Sequence, residues 1–269
     1  LSMHFGGVVA VDQVDFNLRE NELRCLIGPN GAGKSTFFKC LTGQLKPTFG
    51  DVVIRDLNVN RAHSHEIAGL GVGIKTQVPN VFEGLSVQEN IWLAARRFHP
   101  AARARSLVEE TLERVRLTDI RREMVNELSH GQRQWVELGM AISAEPWLVL
   151  LDEPAAGMTH DEVLLTAELI REINKTASLI VVEHDMQFIR MIADKVTVFH
   201  RGAILIEDTM DVVAADPTVL ESAIAGLPDI PPGVSIVVTP ELLLPHTRYS
   251  WNVTFVAAHD AATAVPTLQ

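Results

Sequence analysis

Apolar positions near the start of the chain come in short bursts separated by polar or glycine-rich breaks. Over residues 8–27 they alternate with polar ones around the break Arg19-Glu20-Asn21-Glu22, the period of paired β-strands. Leu23-Arg24-Cys25-Leu26-Ile27 reads as a short buried strand and Lys34–Leu41 as a helix. Residues 51–56, after the turn Pro47-Thr48-Phe49-Gly50, and residues 71–76 predict two further strands. Beyond Gln77 the period becomes helical, over 87–97, 103–115 and 130–143. Strands return at 148–151, 179–182 and 196–199, each almost continuously apolar, as in a parallel sheet covered on both faces. Between them 162–175 predicts a helix that opens with Thr159-His160-Asp161-Glu162, the form of a capping box. Alternating strand and helix implies βαβ units in a doubly wound sheet. The expected fold is α/β, with a mostly parallel core, antiparallel N-terminal strands and a helical insertion at about 78–143. The regular pattern is expected to end near residue 226. Residues 227–269 hold six of the 13 prolines, no lysine and no helical period, and predict an extended tail.

Composition narrows the class. The 269 residues are 47% hydrophobic and 21% charged, as in a globular chain. A net charge of −11 argues against nucleic acid as the main partner. No run of about 18 apolar residues occurs, so no membrane-spanning helix is expected. Cys25 and Cys40 fall in apolar surroundings and read as small buried hydrophobes rather than a disulfide. Arginines crowd the helical insertion, but interleaved glutamates and aspartates make this a solvated, salt-bridged face.

The chemistry starts with Gly28-Pro29-Asn30-Gly31-Ala32-Gly33-Lys34-Ser35-Thr36, between a strand and a helix. Glycines at this spacing let backbone N–H groups wrap a phosphate chain, Lys34 adds a point charge, and Ser35 offers a hydroxyl to Mg²⁺. The helix N-terminus contributes its positive dipole end. A nucleoside triphosphate is therefore the expected ligand. Leu148-Val149-Leu150-Leu151-Asp152-Glu153 closes an apolar strand with two acids, placing Asp152 to hold Mg²⁺ and Glu153 to polarise water.

Leu128-Ser129-His130-Gly131-Gln132, just before a helix, resembles the Leu-Ser-Gly-Gly-Gln signature of ATP-binding cassette (ABC) proteins. Gln77 matches that family's Q-loop glutamine, and His184 in Val182-Glu183-His184-Asp185 its switch histidine. The resemblance covers residues 1–225. It implies a P-loop NTPase cassette that hydrolyses ATP with Mg²⁺ as a head-to-tail dimer, each ATP lying between the Lys34 loop of one subunit and Ser129, Gly131 and Gln132 of the other. It also implies that Glu153 is the general base and that His184 senses γ-phosphate. Ser35, Asp152 and Gln77 would hold the metal, Gln77 would link it to a membrane partner, and Phe5 would stack on adenine. Implied partners are transmembrane permease subunits, a second ATPase subunit and, indirectly, an extracytoplasmic solute-binding protein, with the chain on the cytoplasmic membrane face.

Two positions depart from the family pattern. His130 replaces a signature glycine, and Thr159 stands where many members carry a D-loop aspartate. Together with Pro154-Ala155-Ala156-Gly157-Met158, Phe5-Gly6-Gly7 and Gln134-Trp135, they are similar to importers of branched-chain amino acids, amides and urea. The run from Gly71 to Phe82 and Glu183-His184-Asp185-Met186 look most like the urea-type subunit. Urea import is the first expectation, branched-chain amino acid import the alternative. A soluble cassette acting on ribosomes or DNA is disfavoured by the acidity and the single cassette.

Overall fold

The computed structural model describes residues 1–78 and 80–219 and two strands beyond them. The chain opens with a hairpin, β1 (Met3–Phe5) and β2 (Val8–Val11), turning at Gly6-Gly7. Strand β3 (Leu23–Ile27) leads into helix α1 (Lys34–Leu41). A second small hairpin, β4 (Val53–Ile54) with β5 (Leu57–Asn58), and helix α2 (Ser64–Gly69) precede β6 (Val72–Lys75). The helical stretch follows as α3 (Val87–Phe98), α4 (Ala101–Arg114) and α5 (His130–Ile142). Then come β7 (Leu148–Asp152), α6 (His160–Asn174), β8 (Ser178–Val182), α7 (Met186–Ile192), β9 (Lys195–His200), β10 (Ala203–Asp208) and α8 (Met210–Ala215). In the tail, β11 (Val234–Val237) pairs antiparallel with β12 (Thr254–Ala257); the other residues of the expected extended tail lie outside the described ones.

The main sheet has the order β10-β9-β3-β8-β7-β6. Its pairings are parallel except for β10, which returns antiparallel on β9. Successive side chains of a strand face opposite sides, and both sides are covered. Leu23, Cys25, Val149, Leu151, Leu179 and Val181 join one core with the helical stretch, α6 and α7. Leu26, Leu148, Leu150, Ile180 and Val182 join the other with α1 and the N-terminal hairpin. The apolar strand runs thus reflect burial on both faces.

The sequence pattern overextends at the N-terminus. Residues 12–22 form no strand, although Val14, Phe16 and Leu18 alternate inward against the α1-side core. The backbone turns left-handed at Gln13 and Asn21, and its amides bond irregularly, Asp12 to Gly202 and Val14 to Leu1, so period 2 appears without a ladder. The strand expected at 51–56 shortens to the two residues of β4. Helices α2, α7 and α8 and strand β10, which the pattern did not single out, follow polar or very short segments where period is hard to read.

Candidate active site

Parallel strands put their carboxyl ends on one edge of the sheet, where ligands of open α/β sheets bind. The loops after β3, β6, β7 and β8 meet at that edge around a cleft of about 240 Å³. It is lined by Ala10, residues 30–36, Gln77, Glu153 and His184. The sequence thus named most of the lining; Ala10, which closes one wall from β2, carried no chemical signal.

The loop after β3 is built for close backbone approach. Gly31 and Gly33 adopt φ of 77° and 103°, and a Cβ on Gly33 would come within 2.5 Å of the Ala10 carbonyl oxygen. Gly33 is also the N-cap of α1 and has no side chain to cap it, so the helix start keeps its backbone donors for a ligand. Lys34 is buried and folds over its own loop, its Nζ donating to the carbonyls of Gly28 at 2.6 Å and Pro29 at 3.0 Å. Burial pulls its pKa down to about 8, against the opposing pull of Glu153 and Asp152.

Asp152 ends β7, buried, and burial followed by the neighbouring Glu153 raises its pKa to about 6. Glu153 sits at φ 48°, a left-handed conformation for a non-glycine residue, while its amide still bonds the Val182 carbonyl of β8 at 2.9 Å. Strain held in place by a sheet bond is the kind found at functional sites. It turns the Glu153 carboxylate into the cleft. There Oε1 lies 2.8 Å from His184 Nε2, and Oε2 accepts from Gln77 Nε2 at 3.4 Å. Two residues from two other loops therefore converge on the Glu153 carboxylate, a geometry suited to placing a water against a terminal phosphate.

No cluster of three or more His, Cys, Asp or Glu side chains able to hold a metal occurs among the described residues. That fits Mg²⁺, which characteristically takes one or two protein ligands plus substrate phosphates and water. Ser35 in the loop, Asp152 beside it and Gln77 in the cleft would hold the ion, which would supply neutralisation of phosphate charge.

Several expected site residues stand elsewhere. Phe5 is at the hairpin tip, half exposed and outside the cleft lining. Ser129 caps α5: its hydroxyl accepts from the Gln132 amide at 3.2 Å, and Gln132 Oε1 accepts from the Ser129 amide at 2.9 Å. Ser129, Gly131 and Gln132 line no part of the cleft. Sequence reasoning passed over Lys75 and Glu137. Lys75 Nζ, buried at the end of β6, lies 3.5 Å from Glu137 Oε2 on α5 and donates to the Asp152 carbonyl at 3.4 Å. Their signal was a lysine and a glutamate each set within apolar neighbours.

Residues 11–156 match the ABC transporter family model. The chain is similar to the high-affinity branched-chain amino acid transport ATP-binding protein LivG of Salmonella typhimurium, 32% identical over 240 residues that span 82% of this chain and 94% of that one. The corresponding protein BraF of Pseudomonas aeruginosa is 34% identical over 242 residues, with the same coverage. Among solved structures, the ADP conformation of MJ1267, an ATP-binding cassette of an ABC transporter, superimposes with a TM-score of 0.74 at 26% identity, over 83% of this chain and 95% of that one. The family match takes in the phosphate loop before α1 and the acids that close β7, and the two relatives cover 82% of the chain: the chain belongs to the ABC transporter family, as an ATP-binding, ATP-hydrolysing subunit.

Proposed function

We propose that this subunit energises the uptake of branched-chain amino acids. ATP bound on the Lys34 loop is hydrolysed by water that Glu153 deprotonates, with His184 against the γ-phosphate and Gln77 joining the metal site to a permease. The work is done at the inner membrane face, with permease subunits in the membrane and a solute-binding protein outside it. The observation that carries the solute class is the likeness to LivG and BraF over nearly their whole length. The solute never touches this subunit, so relatives weigh more than side chains in that choice.

Two copies, or this chain and a second cassette, close head to tail. The place of Ser129 outside its own cleft supports this arrangement, in which it would complete the site of the other subunit. Docking on a membrane subunit is supported by Val78, which directly follows Gln77, and by Phe82, both exposed apolar side chains.

Urea is the second reading, favoured by the run from Gly71 to Phe82 and by Glu183-His184-Asp185-Met186. Uptake of labelled leucine and of labelled urea, in cells carrying Lys34→Ala against unaltered cells, separates the two. Loss of leucine uptake with urea uptake intact is expected. Loss of urea uptake alone moves the assignment to urea, and loss of neither removes the transport reading.

A further inference from the structure

The loop between β7 and α6 is gripped on either side of the Ala155–Ala156 peptide. The Ala155 amide donates to Glu183 Oε1 at 3.0 Å. The Ala156 carbonyl accepts from His130 Nε2 at 2.9 Å, which requires that nitrogen to carry the imidazole proton. Each gripping residue adjoins a site residue. Glu183 is buried and precedes His184, whose amide its Oε2 accepts at 2.9 Å; His130 follows Ser129 on the first turn of α5. The fit extends to Gly157, with φ 72°, where a Cβ would come within 3.0 Å of the His130 ring. One turn along α5, the Gln134 amide nitrogen lies 3.2 Å from His130 Nε2, while its Oε1 is buried with no partner among the described residues. Turning that amide by 180° sets an acceptor against the His130 N–H. A glycine at position 130, as in the Leu-Ser-Gly-Gly-Gln pattern, has no ring with which to reach the loop.

We infer that His130 is a positioning residue which, through the two-residue stretch Ala155-Ala156 whose leading amide Glu183 holds, ties the His184–Glu153 side of the cleft to Ser129, so that hydrolysis in one cleft sets how Ser129 is presented to the nucleotide of the other subunit. The inference rests on the head-to-tail reading above. The bulky signature residue thereby forms a rigid link, within one chain, between two half-sites that serve different ATP molecules. His130 touches neither nucleotide; it acts through the loop.

The test uses the full-length chain and three readouts: ATP turnover, binding of a fluorescent ATP analogue, and melting temperature. Because His130 is exposed, His130→Ala is expected to melt with the unaltered chain and to bind the analogue within about twofold, while kcat falls about tenfold and KM barely moves. His130→Gln keeps an N–H at similar reach and is expected to regain most of kcat. Unaltered kcat in His130→Ala overturns the inference. So does an equal loss in both variants accompanied by a lower melting temperature, the mark of simple packing. An unaltered chain that binds but never hydrolyses ATP defeats the hydrolytic reading itself, whereas a hydrolysing chain indifferent to His130→Ala defeats this inference alone.

Discussion

Lys34 is held in a low-dielectric loop with its charge facing its own backbone carbonyls. Its pKa, lowered to about 8 by burial, makes the free protein lose that proton as pH rises through 8, while bound phosphates keep the ammonium charged. Binding above pH 8 must therefore take up a proton. The Kd for ATP is expected to be flat below pH 8 and to rise by up to about tenfold per unit above it, and Lys34→Ala is expected to bind weakly with no such slope; titration calorimetry at several pH values measures both. Asp152 works in the opposite range. With its pKa raised to about 6, the free carboxyl is protonated below pH 6 and Mg²⁺ must displace that proton. The Mg²⁺ concentration for half-maximal hydrolysis is thus expected to climb as pH falls through 6. Gly28 carries a second duty that residue types alone do not show. The spacing marks it as a phosphate-loop glycine, yet its φ of 137° and a would-be Cβ 2.2 Å from the Phe199 carbonyl oxygen give it a packing duty against β9. Gly28→Ala is expected to cost about 3 kcal/mol of stability in denaturant unfolding.

Among the elements, the apolar strands and the capped helices were legible, because full burial and a capping box leave marks within a few adjacent residues. Thr159 with Glu162 reads as a capping box in the sequence, and in the structure Ser86 with Glu89 and Ser129 with Gln132 form the same box. Interactions between elements were not legible. The ion pair of Lys75 on β6 with Glu137 on α5 joins residues far apart in sequence, and both side chains are buried. Removing one partner leaves a buried charge, so Glu137→Ala is expected to lose about 3–5 kcal/mol in chemical denaturation. Lys75→Met with Glu137→Leu is expected to recover most of that, since an apolar pair of similar volume replaces both charges. Single-partner loss without destabilisation would show that the pair is solvated in the working protein.

At the scale of the whole molecule, four loops from one sheet edge bring Lys34, Gln77, Glu153 and His184 into a single cleft. Motif order alone predicted that company, but not that Gln77 and His184 both touch the Glu153 carboxylate. Ser129 was legible as a signature residue; its place outside the cleft of its own chain was not. The solute was the least legible feature, because selection acts on it in other subunits: the motifs pointed first to urea, and the relatives favour branched-chain amino acids. Hydrolysis at Glu153 underlies every reading of the transport cycle. Phosphate release by the purified chain and by Glu153→Gln, with retained nucleotide assayed in parallel, tests it most directly. The account predicts that the variant binds ATP as the unaltered chain does, retains it uncleaved, and turns over at least about a hundredfold more slowly. A Glu153→Gln chain that releases phosphate at the unaltered rate would contradict it.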